Sequence, residues 1–259
     1  TCTFDVTVVD TTVPTITCAT APATAEATSS AGAAVSYDAA TATDIADDSV
    51  AITYSAASGS TFAIGTTQVT ATATDDAGNV STCTFDVTVA DTTVPTITCS
   101  AAPASVEAIS SSGVAVSYEP ATATDTGDGS VAITYSAASG STFAIGTTAV
   151  TATATDDSGN TSTCSFDVTV ADTTNPAIAC SANVSAEATS SAGAAVTYDA
   201  ATATDTGDDS VAVTYSQASG STFAIGTTTV TATATDDSGN TSTCTFGVTV
   251  VDTTNPTTI

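Results

Sequence analysis

An internal repeat is the feature that most constrains what this chain can fold into. The string GSTFAIGTT begins at Gly59, Gly140 and Gly220, a spacing of 81 and then 80 residues. A longer string, TATATDDSGNTSTC, is identical at 151–164 and 231–244. A fixed period of this length is typical of an array in which each copy builds one small unit. The sequence therefore predicts three similar domains in series.

Alternating polarity within each repeat indicates β-strands. Residues 68–75 and 82–89 alternate apolar and polar side chains, which is the pattern of a strand with one buried face. Segments of the same character lie at 15–18, 33–37 and 50–54. About seven short strands per repeat, separated by Gly-rich and Asp-rich turns, are typical of an Ig-like sandwich. We predict an all-β chain of tandem Ig-like β-sandwich domains, arranged head to tail as a rod.

The repeats also set the expected domain boundaries, which are 11–91, 92–172 and 173–252. Residues 1–10, TCTFDVTVVD, match 82–91, TCTFDVTVAD, and are predicted to be the closing strand of a preceding repeat. A second hypothesis makes residues 1–10 a donor strand that completes a neighbouring subunit. Residues 253–259 are predicted to be the start of a further repeat or a linker.

The predicted core is thin. Four aromatic residues per repeat, Tyr37, Tyr54, Phe62 and Phe85 in the first, are expected to supply most of its bulk among small side chains. A domain of this size gains much from a covalent cross-link.

Seven cysteines follow the same period, and two pairings fit their order. The first closes each repeat and joins Cys18 to Cys83, Cys99 to Cys164, and Cys180 to Cys244. The second spans the linkers and joins Cys2 to Cys18, Cys83 to Cys99, and Cys164 to Cys180. We favour the first, because the second needs a hairpin between Asp91 and Pro95, where no hairpin turn signal is present. Cys2 is then expected to pair outside this segment, and such cysteine usage indicates an extracellular location.

Three segments of the first repeat follow one another in a distinctive order: DTTVPTITC, YDAATATD and GSTFAIGTTQVTATATDDAGNVSTCTFDVTV. They resemble the hyalin repeat (HYR) domain family, and the resemblance extends over essentially the whole chain. Its most specific parts, GSTFAIGTT and TATDDxGNxSTCxF, occur in all three repeats. The resemblance implies Ig-like extracellular modules with a non-catalytic role in adhesion or in building long structures.

Acidic residues recur at three places in each repeat. In the first, Asp10 lies in the linker, Asp44 and Asp47 lie in one predicted loop, and Asp75 and Asp76 lie in another. In an Ig-like sandwich with the expected strand order, the linker and both loops meet at one pole. Carboxylates gathered there would repel one another unless a cation neutralised them, and Ca²⁺ takes oxygen ligands.

The sequence therefore suggests calcium as a cofactor bound between domains. The candidate ligands are Asp10, Asp44, Asp47, Asp75, Asp76, Asp91, Asp125, Asp128, Asp156, Asp157, Asp172, Asp205, Asp208, Asp236 and Asp237. The alternative is that these aspartates are solvated turn residues. Four Asn-x-Ser sequons are candidate glycosylation sites, at Asn79, Asn160, Asn183 and Asn240. Here too the alternative is ordinary turn chemistry.

The charge of the chain excludes several classes of function. It has 27 acidic residues and no Lys, Arg or His, for a net charge of −27. Without a basic patch it is not expected to bind nucleic acid. Without His or Lys the usual general bases and nucleophile pairs are absent, so we expect no enzyme. Recurring acid pairs such as Glu26 and Asp38 are compatible with glycosidase chemistry, but an enzyme needs one cleft and this pattern is triplicated. No apolar run is long enough to predict a membrane span.

These features predict a non-catalytic structural protein. We expect a segment of a tandem-repeat extracellular filament, stalk or surface layer, secreted or held at the cell surface and stabilised by one disulfide per repeat and by calcium. The expected partners are further copies or repeats of itself. The alternative function is an adhesin-type binding module that recognises protein or glycan at the cell surface.

Overall fold

Residues 1–255 are described by the structure, a computed structural model. They contain strands and no helix, so the predicted all-β class is confirmed. Accordingly, this part of the chain has no helix long and apolar enough to cross a bilayer. The prediction for 253–259 lies, from residue 256 on, outside the described residues.

One pattern of eight strands occurs three times in series. The first repeat has β1 (Thr15–Thr17), β2 (Ala25–Glu26), β3 (Ala33–Ala34), β4 (Thr41–Thr43), β5 (Ala51–Tyr54), β6 (Thr61–Phe62), β7 (Gly65–Thr74) and β8 (Val80–Ala90). The second has β9 (Thr96–Thr98), β10 (Val106–Glu107), β11 (Val114–Ala115), β12 (Thr122–Thr124), β13 (Ala132–Tyr135), β14 (Thr142–Phe143), β15 (Gly146–Thr155) and β16 (Thr161–Ala171). The third has β17 (Ala177–Ala179), β18 (Val184–Glu187), β19 (Ala194–Ala195), β20 (Thr202–Thr204), β21 (Ala212–Tyr215), β22 (Thr222–Phe223), β23 (Gly226–Thr235) and β24 (Thr241–Val251).

Each repeat is organised around a four-stranded sheet, ordered β2-β8-β7-β5 in the first. Its centre is the antiparallel pair β7 and β8, which runs from Gly65 opposite Val89 to Thr74 opposite Val80. The short edge strand β2 runs parallel to β8. Two-stranded pairs, β1 with β4 and β3 with β6, complete the repeat. The second and third repeats have the same strand orders.

The core lies on the inner face of the long pair, as the alternation predicts. Val69, Ala71 and Val87 are fully buried, while the threonines between them face outward. The predicted aromatic core is also present: the ring of Tyr37 packs edge-on against Phe85, with ring centroids 4.8 Å apart. The buried ring of Phe62 lies against the same tyrosine.

The two core tyrosines also satisfy loop backbone. The hydroxyl of Tyr37 donates a hydrogen bond to the carbonyl of Ala56. The hydroxyl of Tyr54 accepts one from the amide of Ala40 at 2.7 Å. Burial, followed by the neighbouring Tyr54, raises the pKa of Tyr37, so it stays a neutral donor. Aromatic side chains of this kind fill a small core and fix the loops around it.

The disulfides follow the first of the two pairings left open by the sequence. Cys18 is joined to Cys83, Cys99 to Cys164, and Cys180 to Cys244, each with Cα atoms 5.7 Å apart. Cys2 is exposed and not part of a disulfide in the described chain. Each bridge ties the segment after the first strand of a repeat to its last strand.

By its internal contacts the chain divides into two compact units. The first comprises Thr1–Cys99, Pro120–Ser136 and Thr151–Cys164. The second comprises Ser100–Glu119, Ala137–Val150 and the chain from Ser165 onward. The linker after the first repeat therefore belongs to the same unit as the loops of the second repeat that follow β12 and β15.

Several strand predictions were wrong in detail. β2, β4 and β6 were not predicted from the sequence, and the strand predicted at 33–37 ends at Ala34, where β3 ends. β2 and β6 have two residues each and β4 has three, so each is too short for an alternation of apolar and polar residues to be recognised. Strands this short are defined by the strands that pair with them, which are β8 for β2, β1 for β4 and β3 for β6.

Residues 1–10 contain no strand, although their sequence nearly repeats that of β8. Phe4 is 85% exposed, whereas its counterpart Phe85 is 7% exposed. The same residues are thus core or surface according to whether strands such as β2 and β7 are there to pair with them. That residues 1–10 close a preceding repeat, or complete a neighbour, stays a prediction.

Removing one disulfide should weaken one repeat. Replacing both Cys18 and Cys83 by Ser opens a loop of 65 residues, a loss of about 4 kcal/mol in the chain-entropy model. We expect scanning calorimetry to show a separate transition at lower temperature for the first repeat. Cys2→Ser is the control and should leave the trace unchanged. A uniform shift of the whole transition would contradict the expectation and show that the repeats unfold as one unit.

Candidate metal centre

The structure brings together one aspartate from each of the three acidic places in a repeat. The three clusters are Asp10, Asp44 and Asp75; Asp91, Asp125 and Asp156; and Asp172, Asp205 and Asp236. Within each cluster one carboxylate oxygen per residue lies within 4.8 Å of the others. All three clusters therefore unite a linker residue with two loops of the repeat that follows it.

Strand pairing explains why these residues meet. In the second repeat Asp91 lies in the linker that leads into β9, Asp125 directly follows β12, and Asp156 directly follows β15. Because β9 is antiparallel to β12, the beginning of β9 lies beside the end of β12. Because β13 is antiparallel to β15, the loop from β12 to β13 also leads to the end of β15. The three carboxylates therefore share one pole of the repeat.

Hydrogen bonds hold the linker carboxylate in place. Oδ1 of Asp91 accepts from the amide of Thr93 at 3.2 Å and from its hydroxyl at 2.7 Å. The same hydroxyl lies 3.3 Å from both carboxylate oxygens of Asp125. The amide of Gly127 donates to Oδ1 of Asp125 at 2.7 Å. Two turns, one in the linker and one in the loop, thus orient neighbouring carboxylates towards each other.

The third carboxylate is oriented by an asparagine. Oδ1 of Asp156 accepts from the amide of Asn160 at 2.7 Å, and Oδ2 accepts from its side-chain nitrogen at 2.8 Å. That nitrogen also donates to the carbonyl of Asp91 at 3.1 Å. Burial acts to raise the pKa of Asp156, but the hydrogen bonds from Asn160, together with those from the backbone of Gly159 and Ser158, outweigh it and the pKa is lowered. The carboxyl group is therefore ionised at neutral pH.

One buried carboxylate oxygen in each cluster has no hydrogen-bond partner among the described residues. These atoms are Oδ2 of Asp10, Oδ2 of Asp91 and Oδ2 of Asp236. Asp91 is 6% exposed and Asp236 is 5% exposed. Burying a charged oxygen without a partner is unfavourable, and the chain contains no Lys, Arg or His that could provide one. The donor set of each cluster, oxygen alone and negatively charged, fits a hard divalent cation.

Six of the predicted ligands lie outside these clusters. In each repeat, one of them accepts a hydrogen bond from the backbone amide of another. Asp47 accepts from Asp76 at 2.7 Å, Asp128 from Asp157 at 2.8 Å, and Asp208 from Asp237 at 2.7 Å. These residues join the two loops to each other, beside the carboxylates that converge.

Three of the four sequon asparagines belong to the same network. The side-chain nitrogens of Asn79, Asn160 and Asn240 donate to the carbonyls of the linker residues Asp10, Asp91 and Asp172. The fourth, Asn183, is exposed, and its Oδ1 accepts from the amide of Gly247 at 2.7 Å. Glycosylation of the four stays a prediction.

A recurring glutamate holds the linker from the other side, a role that the sequence analysis missed. Oε1 of Glu26 accepts from the amide of Thr92, and Oε2 accepts from its hydroxyl, both at 2.7 Å. The hydrogen bonds from the backbone and then the side chain of Thr92 lower the pKa of Glu26. Glu107 binds Thr173 and Glu187 binds Thr253 in the same way. The available signal was a Glu and an Asp-Thr pair at the same separation in all three repeats.

The chain resembles known proteins over nearly its whole length. The HYR domain model matches residues 9–89, 90–170 and 171–250. The chain belongs to the HYR domain family. It is 36% identical over 269 residues to hyalin of Strongylocentrotus purpuratus, and the alignment covers 99% of this chain and 22% of hyalin. The resemblance found in the sequence is therefore confirmed. Membership of this family, with one disulfide per repeat, fits an extracellular structural or adhesion role.

Solved structures of cadherin repeats are also similar. Protocadherin Gamma B2 extracellular cadherin domains 3-6 is 13% identical, with a TM-score of 0.37, over 92% of this chain and 73% of that one. Mouse Cadherin-23 EC22-24 is 14% identical, with a TM-score of 0.36, over 93% of this chain and 99% of that one. Scores this low carry no argument about this HYR chain.

The glutamate contact can be tested by amide exchange. In the Glu26→Ala variant both hydrogen bonds from Thr92 are lost, so we expect the Thr92 amide to exchange faster with solvent. The Thr173 amide, bound to Glu107, is the internal control and should keep its protection. An unchanged Thr92 rate, measured by hydrogen exchange, would show that the contact does not hold the linker.

Proposed function

We propose that this HYR chain is a non-catalytic structural segment of an extracellular filament, stalk or surface layer, in which calcium binds where each linker meets the next repeat. The observation that carries the proposal is the carboxylate cluster, present three times with the same topology. The proposed partners are further repeats of the same kind. The cluster of Asp91, Asp125 and Asp156 is typical of the three.

Calcium suits this cluster better than zinc. Two oxygens bound to one Ca²⁺ at about 2.4 Å can be at most about 4.8 Å apart, and the cluster meets that limit. Zinc prefers nitrogen and sulfur ligands, but the chain has no His and six of its seven cysteines form disulfides. Asp91, Asp125 and Asp156 would hold the ion. When bound, it would neutralise the three carboxylates and cross-link the linker to both loops.

The junction would then be held at two adjacent residues from opposite sides. The carboxylate of Asp91 lies with those of Asp125 and Asp156 from the second repeat. The next residue, Thr92, is bound by Glu26 of the first repeat. A linker restrained in this way has few free backbone dihedrals, and each dihedral that is fixed lowers its conformational entropy. This restraint supports a role in building a stiff array.

The charge of the chain supports the same role. With a net charge of −27 and no basic side chain, neighbouring repeats repel one another, and the clusters concentrate that charge at the junctions. Cations bound at the junctions would relieve this repulsion where it is strongest. The array would then be extended by repulsion along its length and held by calcium at its joints.

Calcium binding is tested by titrating chelator-treated protein in a calorimeter. We expect about one ion per cluster, with dissociation constants in the range of about 10⁻⁴ to 10⁻³ M typical of extracellular modules. The triple variant Asp91→Asn, Asp125→Asn and Asp156→Asn should lose one ion. A matched control removes the same charge from exposed aspartates outside the clusters: Asp38→Asn, Asp86→Asn and Asp167→Asn. No calcium binding, or equal loss in both variants, would overturn the proposal.

Stiffening is tested by small-angle scattering of the same chain with calcium and after chelation. We expect chelation to shorten the maximum dimension and broaden the distance distribution, because the linkers lose their cross-link. The thermal stability should fall at the same time, by about 2.7 kcal/mol when calcium had been present at 100 times its dissociation constant. A scattering curve that does not change on chelation would rule out calcium as the stiffening element.

A further inference from the structure

The three clusters differ at one position in the loop that follows the second carboxylate. The second repeat has Gly127 there and the third has Gly207, but the first has Ala46. Each of the three residues donates its amide to the preceding aspartate, at 2.7 to 2.8 Å. The loop therefore turns in the same way in all three repeats, whichever residue is present.

At both glycines an added side chain would conflict with a neighbouring carboxylate and not with the backbone conformation. Neither is among the glycines with positive φ in the described chain. A Cβ added to Gly127 would lie 2.2 Å from Oδ2 of Asp91 and 2.3 Å from its Cγ. A Cβ added to Gly207 would lie 2.4 Å from Oδ2 of Asp172 and 2.6 Å from its Cγ. Contacts this short are far below van der Waals separation, so the linker carboxylate occupies the space of the missing side chain.

The oxygen that fills this space in the second repeat is the one without a partner. Oδ2 of Asp91 is buried and makes no hydrogen bond with a described residue, and it is also the atom closest to the Cβ that Gly127 lacks. Asp91 and Asp172 are buried, whereas Asp10, whose loop carries Ala46, is only half-buried. Oδ2 of Asp10 is itself buried and without a hydrogen-bond partner among the described residues, so the first cluster differs by the methyl group of Ala46 and by the partial exposure of the Asp10 residue as a whole.

We propose that the residue at this loop position grades the calcium affinity of the three junctions. Gly127 and Gly207 admit the linker carboxylate fully and make tight sites. Ala46 holds Asp10 further out and makes a weak one. The inference rests on the proposed calcium function and adds that one chain carries two classes of site. The glycines act as positioning residues, because they shape the path of a ligand and supply none of its oxygens.

The physical basis is the narrow tolerance of metal coordination. Ligand distances at a metal site are held to within about 0.2 Å, so a displacement of the carboxylate by a methyl group removes a ligand or forces it into poor geometry. A second consequence concerns order of loading. As calcium rises, the Asp91 and Asp172 junctions fill first and the Asp10 junction fills last.

The test uses full-length chains in which a single cluster is left intact. With Asp44→Asn and Asp205→Asn as background, only the Asp91 cluster remains, and Gly127→Ala should weaken its calcium affinity at least tenfold in calorimetric titration. Gly129→Ala is the matched control, because this glycine lies in the same loop, has no positive φ and has open space around its Cβ position. It should change the affinity less than twofold.

The reverse substitution, Ala46→Gly, distinguishes a change in calcium affinity from misfolding. With Asp125→Asn and Asp205→Asn as background, only the Asp10 cluster remains, and Ala46→Gly should raise its affinity several-fold, a gain that damage to the fold does not produce. Melting curves in chelator check that every variant folds. If a background chain binds no calcium, the proposed function itself fails. If it binds calcium but Gly127→Ala behaves like Gly129→Ala, or Ala46→Gly does not strengthen binding, only the grading by this position is overturned.

Discussion

Each repeat depends on the long antiparallel pair at its centre, β7 with β8 in the first repeat. Its inner face carries the buried Val69, Ala71 and Val87, and its last strand carries the cysteine that is bridged to the segment after β1. The two ends of this pair also define the functional geometry. One end forms the turn with Asp75 and Asn79, and the other continues into the linker to the next repeat. One hairpin therefore supplies the core side chains and also positions the residues of the junctions.

The junction is the place where the acidic composition becomes a structural constraint. Aspartates in a turn are ordinary, but here three of them from separate segments lie within reach of one ion. The chain has no basic side chain to neutralise them, which is why we propose that a cation binds there. The recurring glutamate typified by Glu26 adds a second restraint that needs no cation, since it binds the linker through hydrogen bonds from Thr92.

Near-identical repeats need not be functionally identical. Ala46 differs from Gly127 and Gly207 by one methyl group, and a methyl group at either glycine would lie where a linker carboxylate enters its cluster. Gly129 lies in the same loop as Gly127, but a Cβ added to Gly129 would have no atom within 4 Å. Small differences between repeats can therefore give the junctions of one array different responses to the same cation concentration.

The sequence by itself determined the repeat, the all-β class, the residues of the core and the pairing preference of the cysteines, because periodicity and alternation are local properties that survive in a linear string. It did not determine strands such as β2 and β4, which are too short to show a pattern and exist through their neighbours. Residues 1–10 show the limit most clearly: they nearly repeat β8 but contain no strand, since a strand needs partners to pair with. In the same way, only the tertiary structure decided that Asp44 joins a cluster while Asp47 accepts a hydrogen bond from the backbone amide of Asp76. The two differ in where the folded backbone directs their carboxylates, and no spacing along the chain encodes that direction.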